Sequence, residues 1–297
     1  MKKAFFQLHI AVLLAGFTGI LGRLITLNEG MIVWYRLLLT ALTMWVVFGF
    51  FKRIQKIPRA DVLKVSLVGL IAALHWVTFY GAIKYANVSI ALVCFSAISF
   101  FTALFEPVIL KKKLNRNELL LGLVTLLGIY IIFHFDTQYK TGIILGVISA
   151  ILASLFPIYN SQFLKRMNVE TMLIWQQSGG FFFMSLFFPF YLHYFPVAHF
   201  IPSGENFAWL ILLAWVCSVW AFYLAGNALK RLSAFTVNLT YNLEPVYGII
   251  LAFIIFKENE FLSKWFYLGF VVIAFALSMH LYLLIKEEKR LEKHATQ

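Results

Sequence analysis

Long apolar stretches recur along the chain, separated by short segments that carry most of the charged residues. Each stretch holds roughly 17–25 residues, and a helix of that length, rising about 1.5 Å per residue, crosses a hydrocarbon core about 30 Å thick. The pattern therefore predicts ten transmembrane helices, over residues 5–25, 31–51, 62–83, 88–110, 119–135, 142–164, 171–195, 207–229, 234–256 and 265–285.

The composition agrees with this pattern. Of the 297 residues, 62% are hydrophobic and 13% are charged, whereas soluble domains average about 45–50% apolar and about 25% charged residues. A water-soluble fold cannot bury so much apolar surface, so the sequence predicts an all-α polytopic membrane protein. Cys94 and Cys217 both fall within apolar stretches, which supports neither a disulfide framework nor a thiolate metal site.

The basic residues indicate the orientation of the chain. The net charge is +12, but Lys and Arg lie in short loops between apolar stretches, which is typical of cytoplasmic loops and not of nucleic-acid binding. With the amino terminus inside, the outer loops hold only Arg23, Lys84, Lys140, Lys257 and Lys264. We therefore expect a multi-pass protein of a bacterial-type inner membrane with both termini in the cytoplasm. The first apolar stretch has no clear Ala-x-Ala cleavage site after it and is interpreted as an uncleaved first helix.

A weak internal repeat divides the chain into two five-helix halves, residues 1–137 and 138–297. The matched pairs that define it include Ala82 with Ala228, Lys84 with Lys230, and Lys111 with Lys257. Because five is an odd number, the second half must enter the membrane from the opposite side. The two repeats are therefore predicted to be inverted, a plan common among secondary transporters.

Two short motifs carry a resemblance to a known family. The sequence AIKY follows the third predicted helix at residues 82–85, and LEPVY at residues 243–247 is followed by FKE at residues 256–258. With its ten helices and five-helix repeats, nearly the whole chain resembles the drug/metabolite transporter superfamily, in its EamA-type exporter branch. The resemblance implies transport of a small metabolite without naming the substrate. The first half departs from the pattern, since Lys111-Lys112-Lys113 replaces the usual Lys-Glu and Glu106-Pro107 lies nearer the helix end.

Polar residues concentrate in the ninth predicted helix. Glu244 lies near its midpoint, where a charged group is costly unless it faces protein or water. Pro245 removes a backbone hydrogen bond and is expected to kink the helix. We predict a substrate site formed by Asn238, Tyr241, Asn242 and Glu244. The alternative is an interhelical hydrogen-bond cluster that only packs the helix.

The third predicted helix places an imidazole and three aromatic rings on adjoining faces, at His75, Trp76, Phe79 and Tyr80. Such a group suits stacking against a planar or cationic solute, and we predict that it also contacts substrate. The alternative for His75 is a hydrogen bond that packs two helices together.

Three further polar residues are predicted to line vestibules of the same pathway. Arg36 lies roughly 7–8 Å from the outer end of the second predicted helix, where it can attract an anionic group or extend to the lipid headgroups. Gln176 and Gln177 lie at the matching depth of the seventh helix, counted from the inner side.

These residues favour a secondary transporter that moves a small polar or amphipathic, amino-acid-like metabolite by alternating access. Proton coupling through Glu244 is compatible with this prediction, no cofactor is implied, and a homodimer is left open. The alternative is an intramembrane enzyme acting on lipid or peptide, but the chain contains no Gly-x-Ser-x-Gly, His-Glu-x-x-His or glycine-rich phosphate loop.

Overall fold

The computed structural model describes residues 2–197, 199–232, 237, 240–241 and 243–295, and all of their regular secondary structure is helical. The helices are α1 Lys2–Leu24, α2 Glu29–Phe50, α3 Arg59–Tyr85, α4 Val88–Leu110, α5 Arg116–Phe135, α6 Lys140–Phe163, α7 Val169–Tyr194, α8 Gly204–Leu229, α9 Leu243–Phe256 and α10 Lys264–Ala295. The start of the predicted 234–256 helix falls largely outside the described residues.

Seven of the described helices, α1 to α6 and α8, are long and apolar enough to cross a membrane. Two shorter apolar helical segments are Leu243–Phe256, which is α9, and Lys264–Met279 within α10. Helix α7 is long, but Gln176 and Gln177 interrupt its apolar character. The all-helical membrane class predicted from the sequence is therefore confirmed.

Two helices are less regular than the sequence pattern predicted. Helix α4 is divided at Ser96 and Ala97 into the segments Val88–Phe95 and Ile98–Leu110. Helix α8 contains a π-helical turn at Trp215–Trp220. Hydrophobic periodicity did not indicate either feature, because apolar residues occupy every side of both segments.

Short polar side chains begin several of the helices. Asn28 accepts a hydrogen bond from the backbone N–H of Met31 at 2.8 Å, and Asn87 does the same for Ile90 at 2.8 Å. Asn168 begins α7 in the same way. Each cap satisfies a backbone donor that would otherwise lack a partner at the start of a helix.

Helix contacts in the first part of the chain recur between helices of the second part. Helix α1 packs against α8 and α9, and α6 packs against the corresponding helices α3 and α4. Helices α2 and α7, α4 and α9, and α5 and α10 pack against each other in corresponding pairs. Close approach depends on glycine at the α3–α7 crossing, where a Cβ atom on Gly69 would overlap the backbone carbonyl of Gln176.

The loops after α1, α3, α5, α7 and α9 meet at one end of the bundle, which we call the distal end. Glu258 is only 2% exposed there. Its carboxylate pairs with Arg23 and accepts hydrogen bonds from the backbone N–H of Ser89 at 2.8 Å and from the Ser89 hydroxyl at 2.6 Å. Asn206 joins the start of α8 to Thr26 through two hydrogen bonds of 2.9 Å. These contacts tie the helices together across the distal end.

The loops after α2, α4, α6 and α8 form the proximal end. Arg166 pairs with Asp61 at 2.9 Å, and Arg53 contacts Glu170 at 3.3 Å. In both pairs the basic side chain is about half exposed and the carboxylate side chain is 11% or 12% exposed, compared with 40% for Arg23 and 3% for Glu258 at the distal end. Lys112 pairs with Glu106 at 2.7 Å, so Glu106 takes part in a local ion pair with one of the three lysines that follow α4.

Candidate functional site

A cavity of about 130 Å³ lies between the two halves of the bundle. Side chains from α1, α2, α3, α4, α6, α7, α8 and α9 line it. Its lining reaches Leu229, the last residue of α8, and Asn160, near the end of α6. The cavity therefore extends from the middle of the bundle towards the proximal end.

Aromatic rings form much of the wall. Trp76 of α3 stacks on Phe222 of α8, with ring centroids 5.6 Å apart and an interplanar angle of 6°. Phe79 packs edge-on against Phe95, with centroids 5.7 Å apart. Rings in this arrangement offer flat apolar faces to a solute.

Arg36 is directed into the protein and not towards the headgroups, since its side chain is only 1% exposed. Its Nε donates to the Ser218 hydroxyl and its Nη1 donates to the Tyr80 hydroxyl, both at 2.8 Å. The guanidinium carbon lies 4.2 Å from the centroid of the Trp76 ring. The predicted vestibule residue is thus part of the wall of the central cavity, and Tyr80 contacts Arg36 without lining the cavity itself.

Glu244 lines the same cavity and is 6% exposed. Arg36 lines the cavity as well, but the ion pairs found among the described residues include neither Arg36 nor Glu244. Tyr241, one turn earlier, also contributes to the lining. Asn238 and Asn242 lie outside the described residues.

The glutamine pair of α7 lies at the cavity. The Nε2 of Gln176 donates to Oδ1 of Asn160 at 3.1 Å. Gln177 is 2% exposed, and its Oε1 has no hydrogen-bond partner among the described residues. A buried acceptor without a partner costs about 1–3 kcal/mol. Gln177 is therefore well suited to accept a hydrogen bond from a solute.

His75 both lines the cavity and joins two helices. Its Nδ1 lies 2.8 Å from the hydroxyl of Ser149 and 3.1 Å from the Ser149 carbonyl oxygen. The ring also lies 5.4 Å from that of Phe95. The helix-packing interpretation of His75 describes these contacts, and its contact with substrate stays a prediction.

Comparison with known proteins identifies the family. A family model described as the EamA-like transporter family matches residues 2–134 and again residues 140–280. The chain belongs to this family. The two matches cover nearly all of the chain, with one copy of the family's pattern in each half.

Two individual proteins are similar to this EamA-like transporter. A Haemophilus influenzae protein named as an uncharacterized transporter is 23% identical, with 84% of this chain and 85% of that protein covered. A solved crystal structure superposes with a TM-score of 0.66 over 95% of this chain and 98% of its own, at 15% identity. The second likeness is one of fold alone.

Among the residues of the cavity or its support that were not predicted from the sequence, three contact predicted site residues directly. Ser218 holds Arg36, Asn160 binds Gln176, and Phe222 stacks on Trp76. Ser218 and Asn160 are polar residues at membrane depth, and that signal was available in the sequence. Phe222 gave no such signal, since it is one of 32 phenylalanines in this EamA-like transporter.

Proposed function

We propose that this EamA-like transporter is a secondary transporter that carries a small polar or amphipathic, amino-acid-like metabolite across a bacterial inner membrane. The observation that carries the proposal is the presence of Arg36 and Glu244 on one cavity with aromatic walls. The site residues are those predicted from the sequence, including the Asn238 and Asn242 positions next to Tyr241 and Glu244. Tyr80 takes part through its hydrogen bond to Arg36 and does not itself line the cavity.

Two opposite charges on one cavity favour a solute that carries both. Removing a charge from water costs several kcal/mol unless a partner compensates it. Arg36 suits a carboxylate, because its guanidinium fork matches the two carboxylate oxygens. Glu244 suits an ammonium group, which donates three hydrogen bonds, and so does the Gln177 acceptor, which has no partner within the described part of the chain. The aromatic rings then accept the apolar part of the solute.

The shape of the bundle supports alternating access. The cavity extends towards the proximal end, whereas buried polar contacts close the distal end. We infer ten spanning helices in two inverted repeats, with the proximal end and both termini in the cytoplasm. The conformation described above is then the inward-facing one, and transport requires the contacts of Glu258 to break.

Proton coupling is part of the proposal. Glu244 is the carboxyl group among the cavity-lining residues, so it can exchange a proton with the aqueous phase as the cavity opens and closes. A proton bound at Glu244 removes its negative charge and weakens its hold on an ammonium group. Binding of proton and solute at this residue would then exclude each other, which is a basis for exchange.

Uptake into proteoliposomes tests the proposed function. Purified protein would be reconstituted and supplied with a panel of radiolabelled amino acids, amines and carboxylates under an imposed pH gradient. We expect accumulation of at least one zwitterionic amino acid, with loss of uptake in Arg36→Ala and Glu244→Ala. Glu205→Ala is the matched control, because Glu205 is exposed near the distal end and lies outside the cavity. Failure of every zwitterion to move, or normal uptake by both cavity variants, would contradict the proposal.

A further inference from the structure

The π-helical turn of α8 has no local cause in its sequence. Residues 215–220 read WVCSVW and contain neither proline nor glycine, which are common causes of distortion in a helix. A π turn widens the helix by one residue and is frequently found at functional sites. We therefore expect the π turn to serve an interaction with a neighbouring helix.

Ser218 provides that interaction. It lies inside the π turn, is fully buried, and donates its hydroxyl hydrogen to the carbonyl oxygen of Leu213, five residues earlier, at 2.9 Å. Because its single hydrogen is used there, the oxygen lone pairs are available to accept a bond. Arg36 Nε donates to this oxygen.

Arg36 is held at three places. Ser218 accepts from Nε, Tyr80 accepts from Nη1, and Trp76 covers one face of the guanidinium at 4.2 Å. These contacts come from two helices, α8 and α3, that both pack against α2, the helix that carries Arg36. A side chain with this many contacts cannot rotate freely, so the direction of its remaining donors is set.

The partners of Arg36 do not neutralise it. Ser218, Tyr80 and Trp76 are uncharged, and within the described residues no carboxylate lies within ion-pair distance of the guanidinium. A guanidinium has five N–H donors, and the hydrogen bonds found among the described residues use only Nε and Nη1. Donors therefore remain on a buried cation that lines the cavity. An anionic group supplied by a solute would satisfy both the charge and the donors.

We propose that Ser218, through the π turn of α8, and Tyr80 are positioning residues that aim the Arg36 guanidinium at a carboxylate of the bound solute. This inference rests on the proposed function and adds residues that determine which solutes bind. Neither residue touches the solute. Ser218 and Tyr80 affect solute binding only through Arg36. Residues that only stabilise the fold would instead affect the binding of all solutes alike.

The test compares a carboxylate with its neutral amide. The probes are 3-phenylpropionate beside 3-phenylpropionamide, and L-phenylalanine beside L-phenylalaninamide, titrated into the full-length protein in detergent. Binding is followed by fluorescence of Trp76, which contacts Arg36, with Trp76→Phe defining the background from the other tryptophans. We expect wild type to prefer each carboxylate. Ser218→Ala and Tyr80→Phe should each lower carboxylate affinity about tenfold and leave amide affinity unchanged, as expected for loss of a hydrogen bond to a charged group.

A double-mutant cycle separates positioning from general structure. In an Arg36→Lys background, Ser218→Ala should have no further effect on carboxylate affinity, because the group it positions is absent. The matched control is Ser154→Ala, which removes a buried hydroxyl that donates to the Ile151 carbonyl at 2.7 Å, away from the cavity. This control should leave the preference for carboxylates intact.

Three outcomes would overturn the inference. They are a wild type without preference for carboxylates, equal losses for carboxylate and amide in Ser218→Ala and Tyr80→Phe, and additive effects in the cycle. If one of these outcomes is found while zwitterion uptake into proteoliposomes persists, the positioning role fails and the proposed function stands. Tyr80→Phe keeps the test valid if Ser218→Ala does not fold.

Discussion

Lys111 and Lys257 end corresponding helices with the same left-handed backbone conformation. Lys111 follows α4 with φ 53° and ψ 42°, and Lys257 follows α9 with φ 52° and ψ 37°. The repeat found in the sequence pairs these two residues. Two chain segments with little identity therefore stop their helices by the same backbone turn, which points to a common origin of the halves.

The left-handed conformation predicts a stabilising substitution. It costs an ordinary residue roughly 1 kcal/mol, whereas glycine adopts it freely. We expect Lys111→Gly and Lys257→Gly each to raise the free energy of unfolding by about 1 kcal/mol, measured by thermal unfolding in detergent. Lys113→Gly is the control, since Lys113 is exposed and has no positive φ. An equal gain in the control would show that loss of positive charge, and not backbone conformation, is responsible.

Helix contact at Gly69 predicts a destabilising substitution. A Cβ atom on Gly69 would overlap the backbone of α7 at Gln176, which cannot move aside as a flexible side chain can. We expect Gly69→Ala to lower the free energy of unfolding by about 1–3 kcal/mol, as overpacking does elsewhere, and to reduce transport. Gly204→Ala should do neither, because no atom lies within 4 Å of a Cβ placed there. Unchanged melting of Gly69→Ala would mean that α3 and α7 are less closely packed than described.

The contacts of Glu258 predict a change in access to the cavity. Glu258→Gln removes a charge and replaces an acceptor by a donor facing N–H groups, so the distal end should open more often, by about tenfold. Cys217 lines the cavity and serves as reporter, in a background where Cys94 is replaced by alanine. An impermeant thiol reagent added to intact cells should label Glu258→Gln much faster than wild type. The control is Glu205→Gln, a change of the same kind near the same end, in which Cys217 should be labelled as slowly as in wild type. Equal labelling rates in wild type, Glu258→Gln and Glu205→Gln would exclude a role of Glu258 in closing the distal end.

The role of Glu244 in proton coupling can be separated from a structural role. Glu244→Gln keeps the size and hydrogen-bonding capacity of the side chain but cannot release a proton, whereas Glu244→Ala removes both. We expect Glu244→Gln to abolish accumulation driven by a pH gradient in proteoliposomes and to leave protein stability unchanged. If Glu244→Gln preserves proton-driven accumulation and only Glu244→Ala loses it, Glu244 does not carry the proton and its role is structural.

Orientation in the membrane is tested by single cysteines at opposite ends of the bundle. Lys56 is exposed in the loop after α2, and Ile201 is exposed in the loop before α8. With Cys94 and Cys217 replaced, an impermeant thiol reagent applied to intact cells should label Ile201→Cys and spare Lys56→Cys. Permeabilised cells provide the control, since both cysteines should then react. The reverse pattern in intact cells would invert the proposed topology.

The sequence alone determined that this protein is helical and lies in a membrane. Apolar stretches of spanning length can satisfy their backbone groups in lipid only as helices, so the class follows from local pattern. The same reasoning selected Arg36, Gln177 and Glu244, because a polar residue at membrane depth must face protein or water. A resemblance to the family also followed from two short motifs and from a weak repeat that extends over nearly the whole chain.

Only the tertiary structure decided which of these residues meet. Helical periodicity assigns a residue to a face but does not say which neighbouring helix that face contacts, so Arg36 was expected in a vestibule and is found against Tyr80 and Ser218 in the central cavity. The π turn of α8 and the break in α4 could not be predicted from uniformly apolar segments. Both are changes in local backbone geometry, and a regular helix would show the same hydrophobic pattern along the sequence. At the π turn, Ser218 accepts a hydrogen bond from Arg36 of a helix distant in the sequence, and only the folded chain shows that contact.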